Sequence, residues 1–142
     1  MLQEDKELLL KDLCARLSYG VIVNYKENEF EFPHWKITTI YPETMDGWIG
    51  YDKKSGAGSE SGSRPFKIGE IKPYLRSMSS MTKEEKDELM CIPITSYASF
   101  GNFAQVANHR QIDWFNKHHF DYRGLIEKGL ALEALEGMYK IK

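Results

Sequence analysis

The apolar period of this chain changes near residue 20, and that change narrows its folds more than any other feature. Over Leu2–Leu17, Leu9, Leu13 and Leu17 recur every four residues with Leu10 and Cys14 beside them, the spacing of one stripe along a helix. Glu4, Asp5 and Glu7 crowd its first turns while Lys11 and Arg16 lie towards its end, which suits the helix dipole. Gly20 follows as a left-handed cap. From Val21 the period is two: Val21, Val23 and Tyr25 alternate with Ile22, Asn24 and Lys26, so a strand with a buried face takes over.

Short strands then continue. Lys26–Phe32 reads as an acidic turn closed by Pro33, and Lys36–Tyr41 is β-branched and aromatic. Pro42–Gly47 is a turn, and Trp48–Asp52 the returning strand. Lys53–Arg64 is so rich in glycine and serine that it reads as a flexible polar loop. Phe66–Ile71 resumes strand character with Phe66 and Ile68 in phase, Gly69 marking a bulge or the strand's end. Lys72–Ser80 reads as a linker.

Helices return at Thr82, whose side chain and that of Glu85 fit a capping box for a helix reaching about Met90, before Pro93. Ile94–Asn108 has no legible period; Tyr97, Phe100 and Phe103 stand three apart within it. A helix is expected from about Gln105 to His118, with Asp113 and Lys117 spaced as an i,i+4 ion pair. Asp121 fits the N-cap of a short helix, Tyr122–Lys128, ended by Gly129, and Leu130–Leu135 reads as a last strand or a helical turn. Gln111–Ala134 is the densest run of rings and aliphatics, and the rest of the chain is expected to pack around it. The order αβββ(β)αα predicts a single α+β domain over 1–142. Its small antiparallel sheet could curl into an SH3-like barrel, covered by the N-terminal helix and the C-terminal helices.

Composition excludes some roles. The 21 acids against 19 bases leave a net charge of −2, which provides no general attraction to nucleic acid or anionic lipid. No apolar run approaches the roughly 20 residues of a membrane helix, and the acidic start does not resemble a secretion signal. Two cysteines without a CxxC spacing fit reduced thiols, so a cytoplasmic protein is expected.

Candidate chemistry is sparse. His109, Asp113, His118, His119 and Asp121 form the best metal set, and His109 and Asp113 at i,i+4 would share a helix face. Adjacent His118 and His119, however, point about 100° apart on a helix, and Asp113 and Asp121 already have pairing and capping work. Solvated or capping roles are therefore preferred, and neither metal nor cofactor is expected. Cys14 belongs to an apolar stripe and Cys91 follows a helix C-terminus, both poor settings for a thiolate nucleophile. The glycine-serine segment lacks the Gly-Lys-Ser/Thr ending of a phosphate loop. In Gly58-Ser59-Glu60-Ser61-Gly62 a glutamate stands where GxSxG needs serine. Glu84/Glu85 and Glu133/Glu136 read as carboxylates on solvated faces.

The phrases KDLCARL, IKPYLRSMSSMTKEEK and DWFNKHHFDYRGLIEKGLALEALEGMY resemble an uncharacterised family of short proteins common in gut Bacteroides-type bacteria and their mobile elements. The resemblance spans Lys11–Gly20, Ile71–Lys86 and Asp113–Tyr139 and implies no assigned activity, so it assigns no functional residue. Ser18, Ser77 and Leu135 stand where that family usually has proline, which puts the turns at those places in question.

The reading expected from these residues is a non-enzymatic module that engages a protein partner or a second copy of itself. Its anchors would be Tyr97, Phe100 and Phe103, or Trp114, His118 and Tyr122, since large rings dominate interface energetics. The competing reading is that these rings fill the core. Two alternatives stay open: single-stranded nucleic-acid binding through Lys67, Lys72, Tyr74 and Arg76, and, less favoured, a metal-dependent enzyme.

Overall fold

The computed structural model describes residues 2–25, 35–55, 58–92 and 109–139, the side chains of 52–60 apart. Helix α1 spans Gln3–Arg16, followed by a single 3-10 turn and by Gly20 at φ 76°, as its sequence requires. Six strands form one open sheet: β1 Ile22–Tyr25, β2 Trp35–Tyr41, β3 Asp46–Ser55, β4 Gly58–Lys67, β5 Ile71–Leu75 and β6 Leu132–Glu133. Their spatial order is β4-β3-β2-β1-β5-β6, antiparallel throughout except for the parallel β5–β6 pair. The α+β class therefore holds. The barrel does not close among the described residues, because β4 and β6 stand at opposite edges. Helices α2 Lys83–Met90 and α3 His109–Lys117 lie between β5 and β6 in sequence.

Lys53–Ser55 and Gly58–Arg64, expected as loop, are strand. β3 and β4 form a hairpin of ten consecutive pairs, from Asp46↔Lys67 to Ser55↔Gly58. Two of its glycines make room for neighbours: a Cβ on Gly62 would lie 2.6 Å from the Tyr51 ring, and one on Gly47 would collide with the Thr39 carbonyl. The Lys72–Ser80 linker is likewise corrected. Its first half is β5, which fills the sheet beside β1, and the strand expected over Phe66–Ile71 instead breaks into a 3-10 turn at Ile68–Glu70.

Alternation sorts the sheet into two faces. Val23, Tyr25, Trp35, Ile37, Ile49, Phe66, Ile71 and Leu75 point inward and are buried with Leu9 and Leu13 of α1 and with Leu125, Leu130 and Ala131. Each such aliphatic or ring contributes about 1.5–3 kcal/mol when fully removed from water. The covering of this face is thus α1 plus the 125–131 segment. α3 packs elsewhere: Trp114, Phe115 and Phe120 form a separate cluster with Met81, Leu89, Ile92 and Tyr122.

The buried stripe of α1 is also rotated from the expected one. Leu9, Asp12, Leu13 and Arg16 are buried, whereas Cys14 is exposed. What desolvation its thiol retains raises the Cys14 pKa. The rotation follows from Asp12 and Arg16 satisfying each other. Arg16 Nε donates to Asp12 Oδ2 at 2.8 Å and its Nη2 to Asp12 Oδ1 at 3.1 Å, and Nη2 also reaches the Phe120 carbonyl at 2.6 Å. A paired charge can be buried where a lone one cannot.

The short helix expected over Tyr122–Lys128 is a series of turns. Gly124 at φ 74° interrupts any helical run. Asp121 nonetheless caps, accepting from the Leu125 and Ile126 N–H groups at 2.8 and 2.9 Å, and Gly129 ends the turn at φ 75°.

Candidate functional site: a carboxylate-rimmed cleft

A cleft of about 590 Å³ opens between the end of β5, α2, the end of α3 and the segment 133–139. Sequence-local rules position its first wall. Thr82 Oγ1 accepts from the Glu85 N–H at 3.1 Å while Glu85 Oε1 accepts from the Thr82 N–H at 3.0 Å, the reciprocal capping box the spacing predicts. Turned back in this way, Glu85 also receives the Arg76 guanidinium in two parallel bonds of 2.7 and 2.6 Å. Arg76 in turn lies over the Phe120 ring, 4.2 Å from its centroid. The Arg76 hydrogen bonds, together with Thr82, lower the Glu85 carboxyl to about 2 against the opposing effect of burial. Glu85 therefore does not lie on a solvated face as the sequence suggests.

The second wall comes from the end of α3. The helix closes with the Phe120 N–H bonded to the Phe115 carbonyl at 2.9 Å, and His119 takes the left-handed conformation, φ 63°. This turn sends the two neighbouring imidazoles to different places. His118 packs on Trp114, ring centroids 4.3 Å apart, and lines the cleft. Its Nδ1 is 3.9 Å from Glu85 and its Nε2 is 3.8 Å from Glu88, too long for hydrogen bonds. Nδ1 is buried with no partner among the described residues. Burial lowers the His118 pKa, partly opposed by Glu88 and Glu85. Trp114 Nε1 donates to Glu88 Oε1 at 3.1 Å, holding that carboxylate at the rim.

His119 instead stacks on Tyr139, centroids 3.6 Å apart. The Tyr139 hydroxyl donates to the Tyr74 carbonyl at 2.7 Å and accepts from the Ile22 N–H at 3.0 Å. It thereby bridges β1 and β5 just beyond their last ladder pair, Val23↔Pro73. Burial, followed by the Arg16 charge, pushes His119 down to about 4; burial also raises the Tyr139 phenol. This pinned ring anchors the third wall, where Ala134 N–H meets the Leu75 carbonyl at 2.7 Å and Glu133, Leu135 and Glu136 stand exposed.

The residues singled out from the sequence are dispersed. Trp114 and His118 are buried, and Tyr122 is half-buried, stacked on Phe115 at 5.5 Å with its hydroxyl donating to Asn116 Oδ1 at 3.0 Å. Tyr97, Phe100 and Phe103 lie outside the described residues. Lys67 sits at the end of β4, while Lys72 and Tyr74 face outward on β5. Four strand spacings separate β4 from β5, about 19 Å. Arg76 belongs to the cleft. Among the metal candidates His109 and Asp113 are exposed at α3, Asp121 is a cap, and His118 and His119 diverge. Among the described residues no group of three or more His, Cys, Asp or Glu side chains is placed to hold a metal ion, and no helix is long and apolar enough to cross a membrane.

Sequence reasoning missed Glu85, Glu88 and Tyr139 as site residues. The capping box was the available signal for Glu85, since it turns that carboxylate back toward the helix start. Nothing local marks Tyr139, whose partners are 65 and 117 residues away. No family model, curated protein or solved structure matches this chain.

Proposed function

We propose that this chain is a non-enzymatic binding module whose cleft receives a basic segment of a partner protein. The observation that carries the reading is the set of carboxylates, Glu88, Glu133 and Glu136, that lines one cleft. Among the described residues Arg76 is the one cation of the lining apart from the neutral imidazole, and Glu85 cancels it. Glu88, Glu133 and Glu136 remain as negative charge without an ion pair to a lysine or arginine among the described residues, beside the apolar surface of Leu135. An ammonium or guanidinium group entering there meets carboxylates from α2 and from the 133–139 segment. Proton transfer is a poorer use of the cleft: Glu85, at about 2, is poised far from neutral pH and already bonded to Arg76. Membership in the short-protein family of mobile elements and a cytoplasmic location belong to the same proposal.

The test titrates a fluorescein-labelled lysine- and arginine-rich peptide into the full chain and follows anisotropy. Saturable, salt-sensitive binding is expected, weakened about tenfold when Glu88, Glu133 and Glu136 are all changed to glutamine. Equal affinity of the wild-type and triple variant for the peptide removes the reading.

A further inference from the structure

The outward face of the sheet, which the cleft does not use, gathers rings and cations that the sequence keeps apart. Register places them. Lys36 pairs with Gly50 and that with Ser63, forming one row across β2, β3 and β4; Thr39, Trp48 and Pro65 form the next; Tyr41, Asp46 and Lys67 form the third. All belong to the face opposite Ile37, Ile49 and Phe66, which are buried inward. A β-bulge makes this possible. The β2–β3 register shifts between Ile37 and Thr39, and the Thr38 hydroxyl donates to the Trp48 carbonyl at 3.1 Å. Without that extra residue Tyr41 would point into the core, because a slip of one residue reverses every later side chain. With it, Tyr41 joins Trp48 outside while Ile40 packs inward.

Trp48 is 41% exposed and Tyr41, at the end of β2, 49%. They occupy diagonal positions on adjacent strands, about 7–8 Å apart, close to the spacing of successive bases along an extended strand. Lys36 and Lys67 are exposed in the rows on either side, and Lys72 faces outward farther along, on β5. Asp46 is the acid within these rows, and it accepts the Thr44 hydroxyl at 2.6 Å. Within these rows two lysines stand against one aspartate, which sets them against the chain's net charge of −2.

We infer that the outward face of β2, β3 and β4 is a platform for single-stranded nucleic acid, with bases stacked on Trp48 and Tyr41 and phosphates neutralised by Lys36 and Lys67. Exposed rings on a sheet face favour unpaired bases, whose faces are free, over a duplex, whose faces are already stacked. The charge of the rows selects an anionic polymer over a second copy of this acidic chain. The platform differs from the Lys67, Lys72, Tyr74, Arg76 patch expected from sequence: it keeps Lys67, loses Arg76 to Glu85, and takes its rings from β2 and β3.

The experiment uses the full chain and labelled oligothymidylate and oligouridylate, each of about 12 nucleotides, at low salt. Anisotropy should rise saturably, and tryptophan fluorescence should fall, because Trp35 and Trp114 are buried and Trp48 alone among the three stands open. Trp48→Ala should weaken binding roughly tenfold or more while Trp48→Phe retains most of it. Lys36→Gln and Lys67→Gln should each reduce the salt slope by about one. The two oligonucleotides decide whether the sugar matters. The inference is overturned by absence of binding, by binding that Trp48→Ala leaves unchanged, by equal affinity for duplex, or by a Trp48-dependent dimer in sedimentation. The glutamine variants of the cleft rim should leave oligonucleotide binding intact, so the two surfaces succeed or fail separately.

Discussion

Beneath the sheet, Leu13, Ile49 and Phe66 are buried in a continuous apolar cluster, whereas around Phe120 almost every ring carries a charge or a polar bond. Arg16 reaches the Phe120 carbonyl, Arg76 covers its face, and Arg123 bridges Asp12 and the Tyr122 hydroxyl at 3.1 and 2.9 Å. The first region is held by the removal of apolar surface from water, which is non-directional and forgiving of shape. The second is held by directional bonds among groups that are expensive to bury singly. That difference tells which region fixes the fold's existence and which fixes the placement of its cleft. The core would form around many side-chain choices. The junction forms only if Asp12, Arg16 and Arg123 meet correctly.

The contrast can be broken most severely at Arg16. Arg16→Met strips the principal partner from a fully buried Asp12 and leaves the Phe120 carbonyl without its donor. A loss of about 3–5 kcal/mol is expected in urea unfolding. Adding Asp12→Leu should recover part of it, with a coupling of about 1 kcal/mol or more; strictly additive losses would mean that the ion pair is not a unit.

Acid separates the regions next. The His119 pKa falls from 6.5 unfolded to about 4 folded. Its contribution is therefore complete above pH 6.5 and is lost as pH drops through about 4, since the unfolded imidazole binds its proton first. Glu85, lowered from 4.5 to about 2, extends the loss to more acidic solution in the same sense. Stability should thus decline from pH 6.5 downward. His119→Phe, which keeps a ring on Tyr139, should flatten the segment between 6.5 and 4. Ile49→Ala, in the apolar core, should cost about 2–5 kcal/mol at every pH without changing the profile's shape. A profile that steepens in Ile49→Ala instead would erase the distinction.

The smallest effect sharpens the boundary between the two. Ser77 has φ −65° and ψ 146°, the dihedrals that proline takes, and its N–H donates to no backbone carbonyl among the described residues. Ser77→Pro should raise stability by about 0.4–1 kcal/mol, read as a higher urea midpoint with unchanged slope. Destabilisation would show that the Ser77–Ser79 hydroxyl contact, 3.1 Å, matters more than chain entropy.

Much of the frame was legible residue by residue. The Leu9–Leu13 spacing, Gly20, the β-branched run ending in Tyr41 and the Thr82–Glu85 box each specify their geometry within a few residues, and each is found. The β3–β4 hairpin was misread because glycine and serine look the same in a loop and in a ladder. What decides is the Tyr51 ring lying against Gly62, a contact across strands. The cleft was hidden for a similar reason: Glu85 reads as one more solvated acid until Arg76 and His118 arrive beside it.

The sequence by itself determined the class of fold, the inward residues of β1, the Gly20 cap of α1 and the capping box of α2, since periodicity and capping act over one or two turns of chain. Only tertiary structure decided that Asp12 and Arg16 could be buried, that adjacent His118 and His119 would part, and that a bulge would turn Tyr41 outward beside Trp48. Those outcomes depend on partners distant in the chain and on the balance between desolvation and pairing. That balance is set when the partners come together, and no local pattern encodes it.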